Sequence, residues 1–369
     1  MALFSSKKSY IGIDLGTSSI KVVELESEKG KPKLITYGFA EQSTDIVKSD
    51  SQEVQKEVVA TLKAIMSKAK VTTPKAIAAL PSFAVFSSII SLPAMSKKDL
   101  VAAVRWEAKK FVPMPLEEMI LDWKVLDGGK SEEKDGKKDK KKEKKENAIQ
   151  PTGGSKNFKV LLTAAPKTLV KRYVDIFKQA NLQLVSLETE SFALERSLIG
   201  NDRSATMIVD IGAIACDISV IVDGVPILNR SVDIGGNTIT KAIANSLNVN
   251  LERAEQFKRD FGISGAGDSS QGQIPRTIEF IVSSIVNEIK FVLNLYQNQG
   301  EKPIEKVVLA GGSSFLPNLT KYLEKVLNIK VFIGDPWARV VYPIDLKPVL
   351  QELGPRFAVS IGLAMREII

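Results

Sequence analysis

The 369-residue sequence predicts an α/β protein built as two related halves facing a shared cleft. Three observations predict it. A strand ending in Asp14-Leu15-Gly16 turns tightly and returns as a second strand. The same pattern recurs in the second half at Asp210-Ile211-Gly212, again ahead of helical periodicity. A further apolar strand near the end runs into Gly311-Gly312-Ser313-Ser314.

In order, residues 10–15 alternate as a strand and residues 21–25 return as its hairpin partner. Residues 53–68 carry Val54, Val58, Leu62, Ile65 and Met66 at helical spacing. Residues 76–80, 85–92 and 120–126 read as strands. Ser96 followed by Asp99 resembles a capping box and opens a helix through Phe111, ended by Pro113 and Pro115. Trp106 and Phe111 suit the core face of that helix, a partner surface being the alternative. Residues 158–165, 167–180 and 182–187 continue as strand, helix and strand. The second half begins with strands at 206–211 and 217–222. Helices at 237–247, 251–261 and 276–298, a strand at 307–309 and helices at 319–327 and 357–368 complete it.

Residues 127–157 differ in kind. Between Lys130 and Lys145 there are 9 lysines and 5 acids, with too little apolar surface to offset the entropy of ordering, so the stretch is expected to be disordered. A solvated linker is the default there, contact with anionic lipid the alternative. That run holds half of the net charge of +8, and the mild remainder is no nucleic-acid footprint. With 44% hydrophobic and 25% charged residues the composition is that of an ordinary globular protein. No apolar run reaches the ~18–20 residues of a membrane span, and no signal peptide is legible, so a cytoplasmic chain without direct membrane insertion is expected. One cysteine, Cys216, precludes an internal disulfide. The absence of histidine excludes Ser-His-Asp, Cys-His and histidine-metal chemistry. Carboxylates, lysines, hydroxyls and backbone groups remain.

Those groups concentrate in three motifs. In Asp14-Leu15-Gly16-Thr17-Ser18-Ser19-Ile20-Lys21, Gly16 lets the chain approach a ligand closely, and successive N–H groups of the turn form a concavity for phosphate oxygens. Asp14 is placed to hold Mg²⁺ through water, because Mg²⁺ dehydrates reluctantly. A plain hairpin with a polar turn is the alternative. In Asp210-Ile211-Gly212-Ala213, Asp210 would face the same cation from the other half. In Gly311-Gly312-Ser313-Ser314-Phe315, paired glycines leave space for a flat base.

In this order and spacing the motifs resemble the phosphate-1, phosphate-2 and adenosine motifs of the actin, Hsp70 and sugar-kinase superfamily. The resemblance implies an actin-like ATPase fold with ATP and Mg²⁺ as cofactors. It also implies that Glu255 and Lys258, in Ala254-Glu255-Gln256-Phe257-Lys258, reach ribose and base as in bacterial actins, a solvated helix face being the alternative. Asp233-Ile234-Gly235-Gly236-Asn237 resembles the loop that approaches the nucleotide. Glu188–Arg196 and Ser360–Ala364 resemble the two connections between halves. Glu188 and Glu190 are the candidates to position water for attack on the γ-phosphate, helix-start carboxylates favoured by the dipole being the alternative.

Within the superfamily, Leu92-Pro93-Ala94-Met95-Ser96, Arg105-Trp106-Glu107-Ala108-Lys109-Lys110-Phe111-Val112-Pro113-Met114-Pro115 and Leu121-Asp122-Trp123 resemble the PilM family of type IV pilus assembly proteins, related to the division protein FtsA. The resemblance implies domain I at 1–82 and 184–203, an inserted FtsA-type 1C subdomain at 83–183 with its loop at 128–157, domain II at 204–242 and 301–356, subdomain 2B at 243–300, and a closing helix at 357–369. It implies a slow ATPase at most, docking the N-terminal cytoplasmic tail of a PilN-like membrane protein. Pilus motor ATPases nearby, self-association and a peripheral place at the inner membrane are implied as well. An FtsA-like division or filament protein and a small-molecule kinase are the alternatives. The end at Arg366-Glu367-Ile368-Ile369 lacks the amphipathic helix expected of the former, and the length is short for a sugar kinase.

Overall fold

A computed structural model describes residues 8–42, 51–93, 95–126, 148–149, 157–263, 273–300 and 302–369. The chain divides into a larger unit, Met1–Ala84 with Lys171–Ile369, and a smaller unit, Val85–Val170.

The larger unit opens with strands β1 (Ser9–Leu15), β2 (Ser19–Glu28) and β3 (Lys31–Glu41), helix α1 (Gln52–Lys68) and strand β4 (Lys75–Leu80). The smaller unit holds β5 (Phe86–Pro93), β6 (Met95–Ser96), α2 (Lys97–Phe111), β7 (Met119–Val125), β8 (Ala148–Ile149) and β9 (Asn157–Pro166). Helix α3 (Lys167–Gln179) and β10 (Gln183–Thr189) follow, then α4 (Glu190–Leu194) and a π-helical turn, Glu195–Ile199. The second half contains β11 (Thr206–Ile211), β12 (Cys216–Val222), β13 (Val225–Val232), α5 (Gly236–Leu247), α6 (Leu251–Phe261), α7 (Gln273–Gln297), β14 (Lys306–Ala310), α8 (Leu319–Leu327), β15 (Lys330–Ile333) and α9 (Lys347–Met365).

Two five-stranded sheets carry the larger unit, in the orders β10-β4-β1-β2-β3 and β13-β12-β11-β14-β15. Read from opposite ends they are one design. A three-strand antiparallel meander, β1-β2-β3 or β11-β12-β13, is extended from its first strand by two parallel strands. The two halves seen in the motifs therefore repeat strand for strand. Strands β3, β13 and β15 have no counterpart in the sequence reading. All three are sheet edges, and Pro32, Gly38 and Pro226 blur the alternation of the first two.

Apolar side chains from both halves meet in one cluster, where Ile77 and Ala79 of β4 pack with Ile208 of β11, Val308 of β14, Leu194 of α4 and Leu363 of α9. Helix α9 threads this seam at backbone contact. A Cβ on Gly12 would lie 1.8 Å from the Ser360 carbonyl oxygen, and one on Gly362 would lie 1.9 Å from that of Ala193. The two stretches expected to connect the halves thus cross at Ala193 and Gly362. Helix α9 begins at Lys347 rather than 357, running through Pro355. Pro355 has no N–H to give, and burial of Leu350, Gly354 and Pro355 holds the earlier turns in place.

In the smaller unit, sheet β5-β9-β7 packs against α2 through Ile90, Leu100, Val104, Ala108, Phe158, Val160 and Leu162. This compact unit ends at residue 170, inside α3. The insert expected at 128–157 lies outside the described residues except for Ala148–Ile149, which pair with Met95–Ser96, and Asn157, which opens β9. Trp106 and Phe111 are not core residues: both are exposed, while Leu100, Val104 and Ala108 take the buried face of α2. Among the described residues no helix is long and apolar enough to cross a membrane.

Candidate functional site

Three loops and two helix starts build the site in the larger unit. The first loop joins β1 to β2. Asp14 and Lys21 are cross-strand partners, and the lysine Nζ sits 2.8 Å from the Asp14 carboxylate. Asp14 and Ser19 are buried, Gly16 and Thr17 are partly so, and Ser18 is exposed at the tip. The second loop, between β11 and β12, repeats this geometry with one change. Asp210 pairs across the hairpin with Asp217, so an acid stands where the first half has its lysine.

The start of α5 braces the second loop. The Gly236 N–H donates to the Gly212 carbonyl at 2.9 Å and the Asn237 N–H to that of Ala213 at 2.8 Å. These two amides of the loop expected to approach a nucleotide hold the Gly212-Ala213 turn. The approach is close enough that a Cβ on Gly235 would sit 2.6 Å from the Ala213 carbonyl. The third loop joins them. Gly311 has φ +80°, and a Cβ there would lie 2.3 Å from the Asp210 carboxylate; a Cβ on Gly236 would meet the Ser313 hydroxyl at 2.6 Å. Glycine at 311 is required both by its left-handed backbone and by the acid beside it. Gly312–Phe315 forms a 3₁₀ turn with Phe315 exposed, and Arg356 runs alongside Gly312 to reach Glu41 at 3.2 Å.

On α6, Glu255 and Lys258 bond each other at 2.6 Å and lock onto α5. The Lys258 Nζ also donates to Thr240 at 3.0 Å and to the Gly236 carbonyl at 3.3 Å. Burial lowers the lysine pKa, with Glu255 opposing that shift. The two residues expected at ribose and base thus close the site's wall through each other.

The acids define the electrostatics. Burial, Asp217 and Asp14 push Asp210 up to about 7, with Lys21 opposing. Burial, reinforced by Asp233, raises Asp217 to about 6. Glu190 is raised well above the carboxylate range by burial, Asp217 and Asp14, although it accepts bonds from the Ser82 N–H at 2.9 Å and hydroxyl at 3.1 Å. The Asp217 Oδ1 is buried without a hydrogen-bond partner. Acids crowded until they resist ionisation, one with an orphaned oxygen, fit a cation. Among the described residues no three acids converge tightly enough to ligate one directly.

The two catalytic candidates separate. Glu188 is committed to structure, held two-pronged by Arg196 at 2.7 and 2.9 Å and approached by Arg366 at 3.3 Å. Arg196 also donates to the Gly362 carbonyl at 2.6 Å, tying the α4 turn to α9. Between them the two arginines engage both oxygens of Glu188. Glu190, two residues on, belongs to the acid cluster. Asp217 was not singled out in the sequence, though its place in the hairpin matches that of Lys21. Buried Tyr173 of α3, beside Glu190 and Asp14, and Ser82 carried no sequence signal.

Comparison with known proteins agrees with this architecture. Residues 12–140 and 147–368 match the profile of the family described as type IV pilus assembly protein PilM. The chain is 26% identical to a chain of the solved PilM-PilN type IV pilus biogenesis complex, covering 98% of each, with a TM-score of 0.79. MreB5 of Spiroplasma citri bound to ADP is similar in fold, with a TM-score of 0.53 and 14% identity, covering 96% of this chain and 94% of that one. Among curated proteins, cell division protein FtsA of Neisseria meningitidis is 24% identical over 73% of this chain and 66% of its own. FtsA of Bacillus subtilis is 22% identical over 90% and 80%. The chain spans just under two thirds of the length of the Neisseria protein. With the family profile matched across nearly its whole length, this chain belongs to the PilM family of type IV pilus assembly proteins, on an actin-like ATPase fold.

Proposed function

We propose that the chain is an ATP-binding platform of the type IV pilus machinery that docks the N-terminal cytoplasmic tail of a PilN-like membrane protein, held at the inner membrane through that partner. The observation that carries the reading is its likeness, over 98% of both chains, to a structure of PilM in complex with PilN. The two phosphate-type hairpins facing one acid cluster support the nucleotide half of it. The division into domain I, the 1C insert, domain II and 2B follows the same reading, as do pilus motors and further copies of the chain as neighbours.

In this proposal Asp14, Asp210 and Asp217 hold a hydrated Mg²⁺, and Lys21 pairs with phosphate as well as with Asp14. The Gly16–Ser19 and Gly212–Ala213 turns cradle phosphates, while Gly311, Gly312, Ser313 and Phe315 border the base. Bound Mg-ATP would supply the cation and the phosphate charge that these groups are arranged around. Glu190 stays as the residue to orient a water; a carboxyl that holds its proton must first lose it to act as a base, which suits slow turnover.

Each half provides one loop and one acid, so the nucleotide favours the closed arrangement over the open one. A peptide that prefers the closed form must then strengthen ATP binding, and be strengthened by it, by about 5–150-fold. Titrating a PilN-type N-terminal peptide into ATP-loaded protein, nucleotide-stripped protein and Asp14→Ala tests this. Tighter binding to the first alone is expected. Equal affinity in all three would refute the coupling, and no binding would refute the docking. Fast multiple turnover of ATP would favour the kinase reading.

A further inference from the structure

We propose that the outward face of α2 is a docking face for an anionic lipid surface, independent of the peptide proposed above. Leu100, Val104 and Ala108 of this helix are buried in the smaller unit, and the opposite side carries Val101, Arg105, Trp106 and Lys109, all exposed, with exposed Lys98 one turn earlier. Trp106 is 63% exposed, an unusual position for the largest apolar side chain of a helix. The Lys110 ammonium sits 4.2 Å from its ring centroid and holds the indole at the surface.

The two acids of α2 offset only part of its charge, since Lys97–Phe111 holds five basic residues. Glu107 is paired with Lys110 at 2.8 Å, and Asp99 accepts the Ser96 hydroxyl at the N-cap at 2.8 Å. Lys98, Arg105 and Lys109 are left to face outward around the indole. Tryptophan favours the headgroup level of a bilayer, where its ring is apolar on one side and its N–H is wet on the other. Lysine and arginine near an anionic leaflet each add attraction that fades within a Debye length. An acidic peptide is the other anionic partner, but the hollow beside this face near the helix C-terminus, about 270 Å³ and lined by Lys109, Met114, Pro115, Leu116 and Glu117, is smaller than an ordinary small-molecule pocket and gives a peptide little seat.

The test uses the full chain with vesicles of phosphatidylcholine alone and of phosphatidylcholine mixed with phosphatidylglycerol. Co-sedimentation with the mixed vesicles only, weakened by salt, is expected. The fluorescence of Trp106 should shift to the blue on binding, and Trp106→Phe should abolish the shift. Arg105→Glu with Lys109→Glu should weaken binding by about thirtyfold or more, at about fivefold per cation lost. Both side chains are exposed, so the melting temperature serves as the fold control. A variant lacking residues 130–145 separates this face from the lysine-rich stretch and should keep the Trp106 signal. Equal sedimentation with both vesicles, full binding by the charge-reversed variant, or loss of all binding with the 130–145 deletion would overturn the proposal. Binding of polyglutamate in preference to vesicles would overturn it too, assigning the face to a protein.

Discussion

A chain without histidine should have almost no reason to change stability between pH 5.5 and 8, yet this one should. Ordinary carboxylates finish titrating below that window and lysines begin above it. The lone thiol, Cys216, is buried and raised well above its usual range, so it stays neutral. Apart from the terminal amine, the window belongs to the acid cluster, with Asp210 at about 7, Asp217 at about 6 and Glu190 raised as well. A carboxyl whose folded pKa lies above its unfolded value keeps a proton that the unfolded chain has released. Stability is therefore greatest at the acid end and falls as pH rises toward the folded pKa, levelling off above it. From pH 5.5 to 7, Asp210 alone spans about 1.5 units, or about 2 kcal/mol, an upper figure because its carboxyl borders the cleft. A body of this size then loses a few degrees of melting temperature, at about 2–4 °C per kcal/mol. Melts followed by circular dichroism across the window should show this slope in the wild type and a reduced one in Asp210→Asn. Mg-ATP should raise the alkaline end most, because it compensates the ionised cluster. A flat wild-type profile, or an unchanged slope in Asp210→Asn, would refute the reasoning.

Arg196→Ala should cost about 1–3 kcal/mol by removing the two-pronged partner of the enclosed Glu188 and leaving it only Arg366 at 3.3 Å, seen as a lower midpoint in denaturant. Asp14→Ala, by contrast, should lose Mg-dependent ATP binding in calorimetry while remaining folded; unchanged affinity would remove Asp14 from the site. Removing residues 129–147 should leave both melting temperature and ATP binding within error, since that stretch has no apolar face to pack, and a drop of more than about 3 °C would show that it packs.

Much of this was legible in order along the chain. A carboxylate at a strand end, a glycine two residues on and a returning strand are local features, and their recurrence at Asp14 and Asp210 announced two halves before any coordinate was known. Helices α1, α2, α5, α6 and α8 followed from periodicity and caps within a residue or two. Strands β3, β13 and β15 did not, because Pro32, Gly38 and Pro226 break the alternation of the first two and β15 is only 4 residues long. The role of Glu188 was invisible for a different reason. A carboxylate at a helix start looks the same whether it faces water or two arginines, one of them, Arg366, from the far end of the chain. Trp106 was misplaced because only the packed unit shows which side of an amphipathic helix its neighbours cover.

By itself, then, the sequence determined the fold class, the two hairpin motifs and the exclusion of histidine chemistry, since each depends on residues close together in the chain. Only the tertiary structure decided which side chains share the site. It crowded Asp14, Asp210, Asp217 and Glu190 into one buried field, spent the Gly236 and Asn237 amides on the second loop, and set Glu188 aside as a brace. Those outcomes depend on contacts between residues far apart in sequence, and on how little water the packed seam of two sheets leaves between them.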